Sequence, residues 1–460
     1  MSDVSVIASF DFELLWETLF LKTYNTRLVV VSVTLLGAAA GLIGSFLLLR
    51  KQSLLGDALS HATLPGIGIA FALMSALGMN AKSLPGLLAG ATITGLLGVL
   101  LVLAIKRTTR LKEDAAMGIV LSVFFGLGVA ILRMVQKIPG QSSAGLESFI
   151  YGKPASMIAS DRLFIIVVLA ITTFACLLLL KEFTLLCFDA NFASTEGWPT
   201  LTLDILLMAL VTAVTVIGLQ AVGLILIIAF LITPATAARF WTNNLRHMLW
   251  LAAIIGAVSG WLGASVSALL PRLPAGAIIV IAAAIIFLIS MIFGSARGVL
   301  PRFLRHLDLQ RKVGRQHILR STYEILENTQ EAHPIQNLPI SMNLLRKHRY
   351  WSKGELAKVI RQARSEDHIE RRPTGEICLS ESGFGEASRI TRNHRLWELY
   401  LIKHADIAPS HVDRDADMVE HLLGAEIVRQ LEAELDLEKP IVESPHIINT
   451  ELGLQSEPTT

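Results

Sequence analysis

Cysteine and net charge are both scarce in this 460-residue chain. The three cysteines, Cys176, Cys187 and Cys378, have no paired spacing, which argues against a disulfide framework and a cysteine-based zinc site. The net charge of +2 identifies no partner, so only local charge is informative. The chain also lacks a Gly-x-x-x-x-Gly-Lys-Ser/Thr loop and a His-Glu-x-x-His motif, which argues against ATP hydrolysis and zinc proteolysis. We therefore expect a protein that is not an enzyme.

Hydrophobic residues, in contrast, are abundant and unevenly distributed. They make up 53% of the chain, and the mean hydropathy is +0.56. Runs of about 20 apolar residues, long enough at helical rise to cross a bilayer, occupy the chain up to about Ser295. The predicted spans are 28–48, 57–78, 85–105, 115–135, 163–180, 201–218, 220–236, 248–270 and 275–295. We expect an all-α integral membrane bundle of about eight or nine transmembrane helices.

Basic residues predict the orientation of these spans. They follow the first, third, seventh and ninth spans, beginning at Arg50, Lys106, Arg239 and Arg297 respectively. The ends of the odd-numbered spans are therefore expected in the cytoplasm, with the N-terminus outside and the C-terminal part of the chain inside. The predicted location is a membrane that the chain crosses several times.

The last third of the chain is charged throughout and holds ten of the twelve histidines. This change in composition predicts a cytoplasmic, water-soluble domain after the membrane bundle. The membrane part is predicted to consist of an N-terminal interfacial segment without a signal peptide (1–27) and a transmembrane domain (28–296). The predicted soluble part consists of a basic linker (297–315), a winged helix-turn-helix domain (316–390), metal-binding and dimerisation helices (391–437) and a polar tail (438–460).

Two ionisable residues, Asp57 and His61, lie within the second predicted span. Such residues are costly inside a membrane and are candidates for function. They are four residues apart, so both side chains lie on one helix face. His61 is ten residues after Lys51, which at helical rise predicts a position about 15 Å along the axis, near the midplane. A carboxylate and an imidazole form half of a site for a divalent transition metal; alternatively, Asp57 caps the helix and His61 binds a backbone carbonyl.

The stretch LRKQSLLGDALSHATLPGI at 49–67 resembles the signature of the manganese/zinc/iron permease family of ABC importers. Residues 149–161 and 226–239 are similar to two further segments of that family, and the resemblance covers about residues 28–296. It implies that Asp57 and His61 bind manganese, zinc or iron in the translocation path. It also implies a second permease subunit, identical or different, and an extracytoplasmic metal-binding protein as partners. The location that it implies is a bacterial cell (inner) membrane.

The resemblance also implies a contact with a cytoplasmic ABC ATPase, which this chain requires because it has no nucleotide-binding loop of its own. Pro234 is expected to break the seventh helix, so that a short following helix transmits closure of the ATPase; alternatively, the segment is a plain helix end with an anchoring arginine. The residues assigned to this coupling are Thr233, Pro234, Thr236 and Arg239.

The soluble region begins its predicted fold with two short helices, 341–348 and 353–365, joined by a turn. Two strands about a Pro-Thr-Gly turn follow within 369–379. Two helices and a basic hairpin are typical of a winged helix-turn-helix domain, which places its second helix in the DNA major groove; alternatively, the basic face is only solvated or docks a protein. The candidate contacts to operator DNA are Lys353, Lys358, Arg361, Arg364, Arg371 and Arg372.

The pattern over about 311–436 resembles the metal-dependent repressors of the diphtheria-toxin-repressor family. The resemblance implies that a divalent metal (manganese, iron or zinc) is the effector as well as the substrate. The residues at family ligand positions are His394, Asp417, Glu420 and His421 in one set, Glu398 and His411 in an ancillary set, and His317 on the first helix.

Two departures from the repressor pattern affect the predicted metal site. Where some members carry an acidic ligand near His317, this chain has Arg320, which puts that ligand in doubt. Where some members have cysteine, Asp417 supplies oxygen, which favours manganese or iron over softer metals. An ordinary solvated helix face with ion pairs is the alternative interpretation of the acidic and histidine cluster.

These patterns together predict a metal permease fused to a metal-responsive regulatory domain. An extracytoplasmic protein would deliver the metal, Asp57 and His61 would hold it transiently, and a separate ATPase would drive the change of access. The alternative is a membrane-anchored, metal-dependent transcriptional regulator with little or no transport, and the intact Asp57/His61 pair argues against it.

Overall fold

Two units make up the chain, Met1–Arg302 and Phe303–Thr460. The computed structural model describes residues 24–81, 83–136, 159–269, 275–329, 338–349, 351–404 and 425–435. Most of the predicted N-terminal interfacial segment and the predicted polar tail lie outside these ranges.

The first unit is a bundle of helices whose length and composition suit a membrane. Its helices are α1 (Tyr24–Leu49), α2 (Leu55–Ala76), α3 (Leu84–Thr108), α4 (Glu113–Val135), α5 (Ala159–Leu178), α6 (Leu180–Phe188), α7 (Ala190–Thr195), α8 (Thr200–Val222), α9 (Leu224–Trp241), α10 (Leu245–Leu269) and α11 (Ala275–Phe293). Within the described residues, eight helices are long and apolar enough to cross a membrane. Helices α5 and α6 meet the same test together but are bent by 65° at the break between them, and the number is nine if this pair forms one span. The prediction of eight or nine spans is confirmed.

Helix α1 lies at the centre of the bundle and packs against α10, α9, α5 and α8. It approaches α10 closely because both carry glycine where they cross. A Cβ atom on Gly37 would lie 2.3 Å from the carbonyl oxygen of Gly256, so an alanine there would force the helices apart. Small residues at such crossings are the usual basis of helix packing in membranes.

A single glycine separates α8 from α9. Gly223 has φ of 88°, a conformation that side-chain-bearing residues rarely adopt. Its N–H donates to the carbonyl of Leu219, and its own carbonyl accepts from Ile227. The predicted boundary between the sixth and seventh spans at about 219 therefore lies later, at Gly223.

The second unit contains helices and one hairpin. Its elements are α12 (Val299–Thr329, which begins in the first unit), α13 (Met342–His348), α14 (Lys353–Ser365), β1 (Ile369–Arg371), β2 (Ile377–Leu379), α15 (Glu381–His404) and α16 (Ala425–Leu435). The strands pair antiparallel with Ile369 opposite Leu379. The two short helices and the hairpin thus follow in the order that the sequence predicts for a winged helix-turn-helix domain.

Helix α12 is longer than the sequence indicated. It includes most of the segment predicted as a basic linker, 297–315, and continues to Thr329 without a break. Its residues are mainly good helix formers, and Pro301 lies in the first turn, where a missing N–H costs no hydrogen bond. Leu319 and Leu326 of this helix pack in one core with Leu345 and Ile360 from α13 and α14.

Candidate metal sites in the two units

A tight turn before α2 fixes the start of the predicted signature. Lys51 has φ of 60°, and the N–H of Gln52 donates to the carbonyl of Leu47, which closes the end of α1. The Gln52 side chain is buried and donates to Glu113 of α4. Arg50 forms an ion pair with Asp204 of α8. These contacts join the turn to two other helices and so position the first turns of α2.

Sequence reasoning did not identify these supporting residues. The sequence does mark Asp204, because it is the sole charged residue in the largely apolar helix α8. A charged residue at such a place usually faces a partner of opposite sign rather than lipid. No sequence signal pairs Gln52 with Glu113, since 61 positions separate them.

Asp57 and His61 occupy successive turns near the start of α2, on one face as predicted. The His61 Nε2 atom lies 3.3 Å from Asp57 Oδ1, and the side chains are 17% and 33% exposed. The His61 ring meets Phe125 of α4 edge-on, with centroids 4.9 Å apart. Its Nδ1 atom is buried and has no hydrogen-bond partner among the described residues. The alternative, in which Asp57 caps the helix and His61 binds a backbone carbonyl, gains no support from this nitrogen.

The helical segment that precedes His61 is shorter than predicted. Helix α2 begins at Leu55, because residues after Arg50 form the turn and not a helix. His61 is therefore about 9 Å along the axis from Leu55, and the unbroken helical rise from Lys51 on which the predicted 15 Å depends is not present. Across the ranges described, no third histidine, cysteine or acidic residue joins Asp57 and His61 in a group that could hold a metal.

Close packing against two helices holds α2 in place. A Cβ atom on Gly66 would lie 2.1 Å from the carbonyl oxygen of Gly90 in α3. On the other side, a Cβ atom on Gly128 of α4 would lie 2.8 Å from Leu64. Helix α2 thus has little freedom to move relative to α3 or α4, which keeps His61 against Phe125.

The predicted coupling segment lies within α9. The helix continues through Pro234 to Trp241, so the prediction that Pro234 breaks it is wrong. Pro234 is buried and lies next to α1, where packing supports the helix despite the missing N–H. Thr236 donates to the carbonyls of Ile232 and Thr233 in the preceding turn. Arg239 lies in the last turn.

The end of α9 is tied to the chain that leads into α12. The carbonyl of Phe240 accepts from the N–H groups of Ala296 and Arg297, each at 3.0 Å. The Arg297 Nε atom also donates to Asn243 Oδ1 at 3.0 Å. The residues just after the predicted coupling segment are therefore hydrogen-bonded to the residues just before α12.

In the second unit, the structure brings His394 and Glu398 together on α15. His394 Nε2 lies 2.9 Å from Glu398 Oε1, and each residue is 1% exposed. Arg320 of α12 places Nη1 2.8 Å from His394 Nδ1. The sequence assigned His394 and Glu398 to two different ligand sets, but here they are direct hydrogen-bond partners with an arginine on the opposite ring nitrogen.

Arg320 connects this pair to a second group of polar side chains. Its Nε atom donates to Glu324 at 2.8 Å, and His348 lies 3.0 Å from the other Glu324 oxygen. Burial acts to raise the pKa of Glu324, but the hydrogen bonds and charges of His348 and Arg320 outweigh it and hold that pKa below its usual range. His317 likewise meets an arginine, with Arg349 Nη1 2.8 Å from its Nδ1 atom.

Four other predicted ligands of the regulatory domain lie outside the described residues. They are His411, Asp417, Glu420 and His421. Where the chain is described, no group of three potential ligands forms.

The predicted DNA contacts are all exposed. Leu356, Ile360 and Ala363 face the core from α14, while its cations are on the surface. A capping box between Ser352 and Glu355 starts this helix. The exposed cations on α14 and the hairpin are Lys353, Lys358, Arg361, Arg364, Arg371 and Arg372.

Comparisons with known families match the first unit and the C-terminal part of the second. A model of the ABC 3 transport family matches residues 22–294. A model described as iron dependent repressor, metal binding and dimerisation domain matches residues 380–446, which extends into the segment predicted as a polar tail.

Individual relatives are membrane proteins of metal transport systems. The chain is 39% identical to the manganese transport system membrane protein MntC of Bacillus subtilis, over 88% of this chain and 90% of the relative. It is 45% identical to the zinc transport system membrane protein TroC of Treponema pallidum, over 61% of this chain and 93% of the relative. A solved structure, PsaBC from Streptococcus pneumoniae in complex with Fab, superposes with a TM-score of 0.54 and 31% identity, covering 64% of this chain and 98% of that one.

Proposed function

The chain belongs to the ABC 3 transport family and is a multi-pass membrane permease, and from this premise we propose that it imports a divalent transition metal: manganese, zinc or iron. The observation that carries the proposal is the Asp57/His61 pair, in which a carboxylate and an imidazole share a helix face and the buried His61 Nδ1 lacks a hydrogen-bond partner among the described residues. Nitrogen and oxygen donors suit all three metals.

The two side chains act as transient ligands for the substrate. Asp57 supplies carboxyl oxygens near the start of α2, and His61 supplies a ring nitrogen. Two ligands bind a metal weakly, which suits a path that must also release it. An extracytoplasmic metal-binding protein delivers the ion, and a second permease subunit, identical or different, completes the pathway.

A separate cytoplasmic ATPase supplies the energy. Thr233, Pro234, Thr236 and Arg239 form the part of α9 through which we propose that ATPase closure reaches the pathway. The support is that α9 packs directly on α1 and α2, and α2 carries Asp57 and His61. Because α9 continues through Pro234, the helix moves as one piece.

Metal uptake tests the transport proposal. Cells that express the permease with its ATPase and binding protein should take up manganese or zinc, and Asp57→Asn or His61→Gln should lower the rate at least about tenfold, since each removes one of two ligands. His247→Gln, which changes an exposed histidine on α10, is the matched control. Normal uptake by both site variants would contradict a role for the Asp57/His61 pair in transport. Uptake no higher than in cells without the permease would favour a membrane-anchored regulator without transport.

The second unit is proposed to respond to the same metal once it accumulates inside the cell. The support is the match to a metal-binding repressor domain together with the buried His394/Glu398 pair. The donor chemistry fits manganese or iron, and His317, His411, Asp417, Glu420 and His421 are the further candidate ligands. Arg320 and Arg349, however, contact the two described histidines, so metal entry requires these arginines to move.

Binding to operator DNA is a second proposed activity of this unit. The six exposed cations on α14 and the hairpin favour it, because such a surface suits contact with phosphates. On this proposal the unit, bound to metal, represses transcription; otherwise it acts by inhibiting transport.

A further inference from the structure

Arg320 lies between the two groups of polar side chains in the second unit. It is 5% exposed, with Nη1 2.8 Å from His394 Nδ1 and Nε 2.8 Å from Glu324 Oε1. An arginine side chain can only donate hydrogen bonds and keeps its positive charge at any physiological pH. A permanent cation is therefore in direct contact with a histidine at a predicted ligand position.

This contact determines which nitrogen of His394 carries the proton. Because Arg320 donates, Nδ1 accepts, and its lone pair is occupied by the guanidinium. The neutral ring then carries its proton on Nε2, which donates to Glu398 Oε1 at 2.9 Å. Both nitrogens and one carboxylate oxygen are thereby engaged in a buried chain of hydrogen bonds that runs from Arg320 to Glu398.

Neither ring nitrogen can bind a metal while Arg320 remains in place. Binding through Nδ1 needs the lone pair that accepts from Arg320. Binding through Nε2, with Glu398 as a second ligand, requires the ring proton to move to Nδ1, where two donors would then face each other. A divalent ion would in addition be repelled by the nearby guanidinium, and burial leaves little water to screen that repulsion.

We propose that Arg320 is an internal cation that keeps the His394/Glu398 pair closed to divalent metal, so that metal must displace it and its displacement sets the concentration at which the second unit responds. The inference rests on the proposed metal response of this unit and adds a threshold to it. The same kind of contact between Arg349 and His317 supports it, since a second predicted ligand is held by an arginine.

Manganese binding to the full-length protein in lipid nanodiscs tests this role. Asp57→Asn and His61→Gln are introduced first, to remove the proposed transport site, and free Mn²⁺ is measured by electron paramagnetic resonance. Arg320→Gln should raise the manganese affinity at least tenfold, whereas Arg320→Lys, which keeps the charge, should leave it low. Arg315→Gln is the matched control, because it removes another α12 cation that pairs with Glu366 instead. Adding His394→Gln to Arg320→Gln should abolish the gain.

The outcomes separate this role from the underlying metal response. If manganese binding is lost in His394→Gln but is unchanged by Arg320→Gln, the internal-cation role is overturned and the metal response stands. If no variant binds manganese, both are overturned. Hydrogen exchange of α12 and α15 peptides reports whether Arg320→Gln keeps its fold. If that protection is lost, Arg320→Glu, which offers an acidic ligand in the same place, must show the tighter binding or the proposal fails.

Discussion

At the scale of single residues, the second unit has a connected network of arginine, histidine and glutamate side chains in addition to separate ion pairs such as Arg315–Glu366. Arg320 binds both His394 and Glu324, and Glu324 also binds His348. A buried charge in such a network is costly to leave without its partner, whereas an exposed pair contributes little. The residues that matter most for stability here are therefore those with the least exposure.

The pH dependence of stability at Glu324 tests whether a buried charged network contributes more than an exposed ion pair. Its pKa lies below the ordinary value of 4.5. A carboxyl whose pKa is lowered by folding stabilises the folded state above its unfolded pKa, and this contribution is lost as pH falls through the lower, folded value. Glu324→Gln should therefore destabilise the second unit by about 1–3 kcal/mol at pH 7, and the difference from the unmodified protein should narrow below pH of about 4.5.

Hydrogen-exchange protection of α12 peptides, measured in the full-length protein from pH 7 to pH 3, follows this change. Glu386→Gln is the control, since the pKa of Glu386 is also lowered, chiefly by its hydrogen bond from Arg389, but Arg389 is 62% exposed and water screens the pair. Equal effects of the two substitutions at pH 7 would show that burial of the Glu324 network adds nothing.

At the scale of helices and strands, the local sequence was sufficient to predict some helix bounds but not the features that depend on packing. The helix 353–365 was predicted with its observed bounds, because Ser352 and Glu355 form a capping box and the apolar positions recur at helical spacing. The continuation of α9 through Pro234 was missed, because packing against α1 compensates for a helix breaker and packing is not a local property. The contact between Arg320 and His394 joins positions 74 residues apart, and the sequence marked Arg320 only as a departure from a ligand pattern.

Helix α14 is the element on which DNA binding can be tested. Lys358→Gln and Arg361→Gln each remove one exposed cation. If each contacts a phosphate, the slope of log affinity against log salt should fall in magnitude by about 0.9 for each substitution. The measurement is binding of the full-length protein, in neutral-lipid nanodiscs with manganese present, to a random-sequence duplex at several salt concentrations. Arg246→Gln, an exposed cation of the first unit, is the control and should not change the slope. Unchanged slopes in both α14 variants would contradict a DNA-binding role for this helix.

At the scale of the whole molecule, the two units have separate hydrophobic cores. Among the described residues, the buried clusters of the first unit draw only on positions up to 287, and the cluster of the second unit draws only on 318–390. Each unit therefore buries its own apolar surface, which is the main stabilising term in folding. The chain passes from the first unit into the second through α12, and the residues just before this helix are hydrogen-bonded to the end of α9 and the turn after it.

Ending the chain after Arg302 should consequently leave a functional permease that has lost its regulation. At low internal metal, uptake by the shortened chain should stay within about twofold of the full-length rate, because removing residues 303–460 takes nothing from the cores that position Asp57 and His61. At high internal metal, the full-length protein should slow down and the shortened one should not. His394→Gln in the full-length chain should behave like the truncation, since it removes the proposed sensing group without altering the length of the chain.

The measurement is manganese uptake into cells preloaded with manganese, at matched membrane levels of each protein. Equal slowing of all three proteins would exclude inhibition of transport by the second unit and leave repression of transcription as its proposed role.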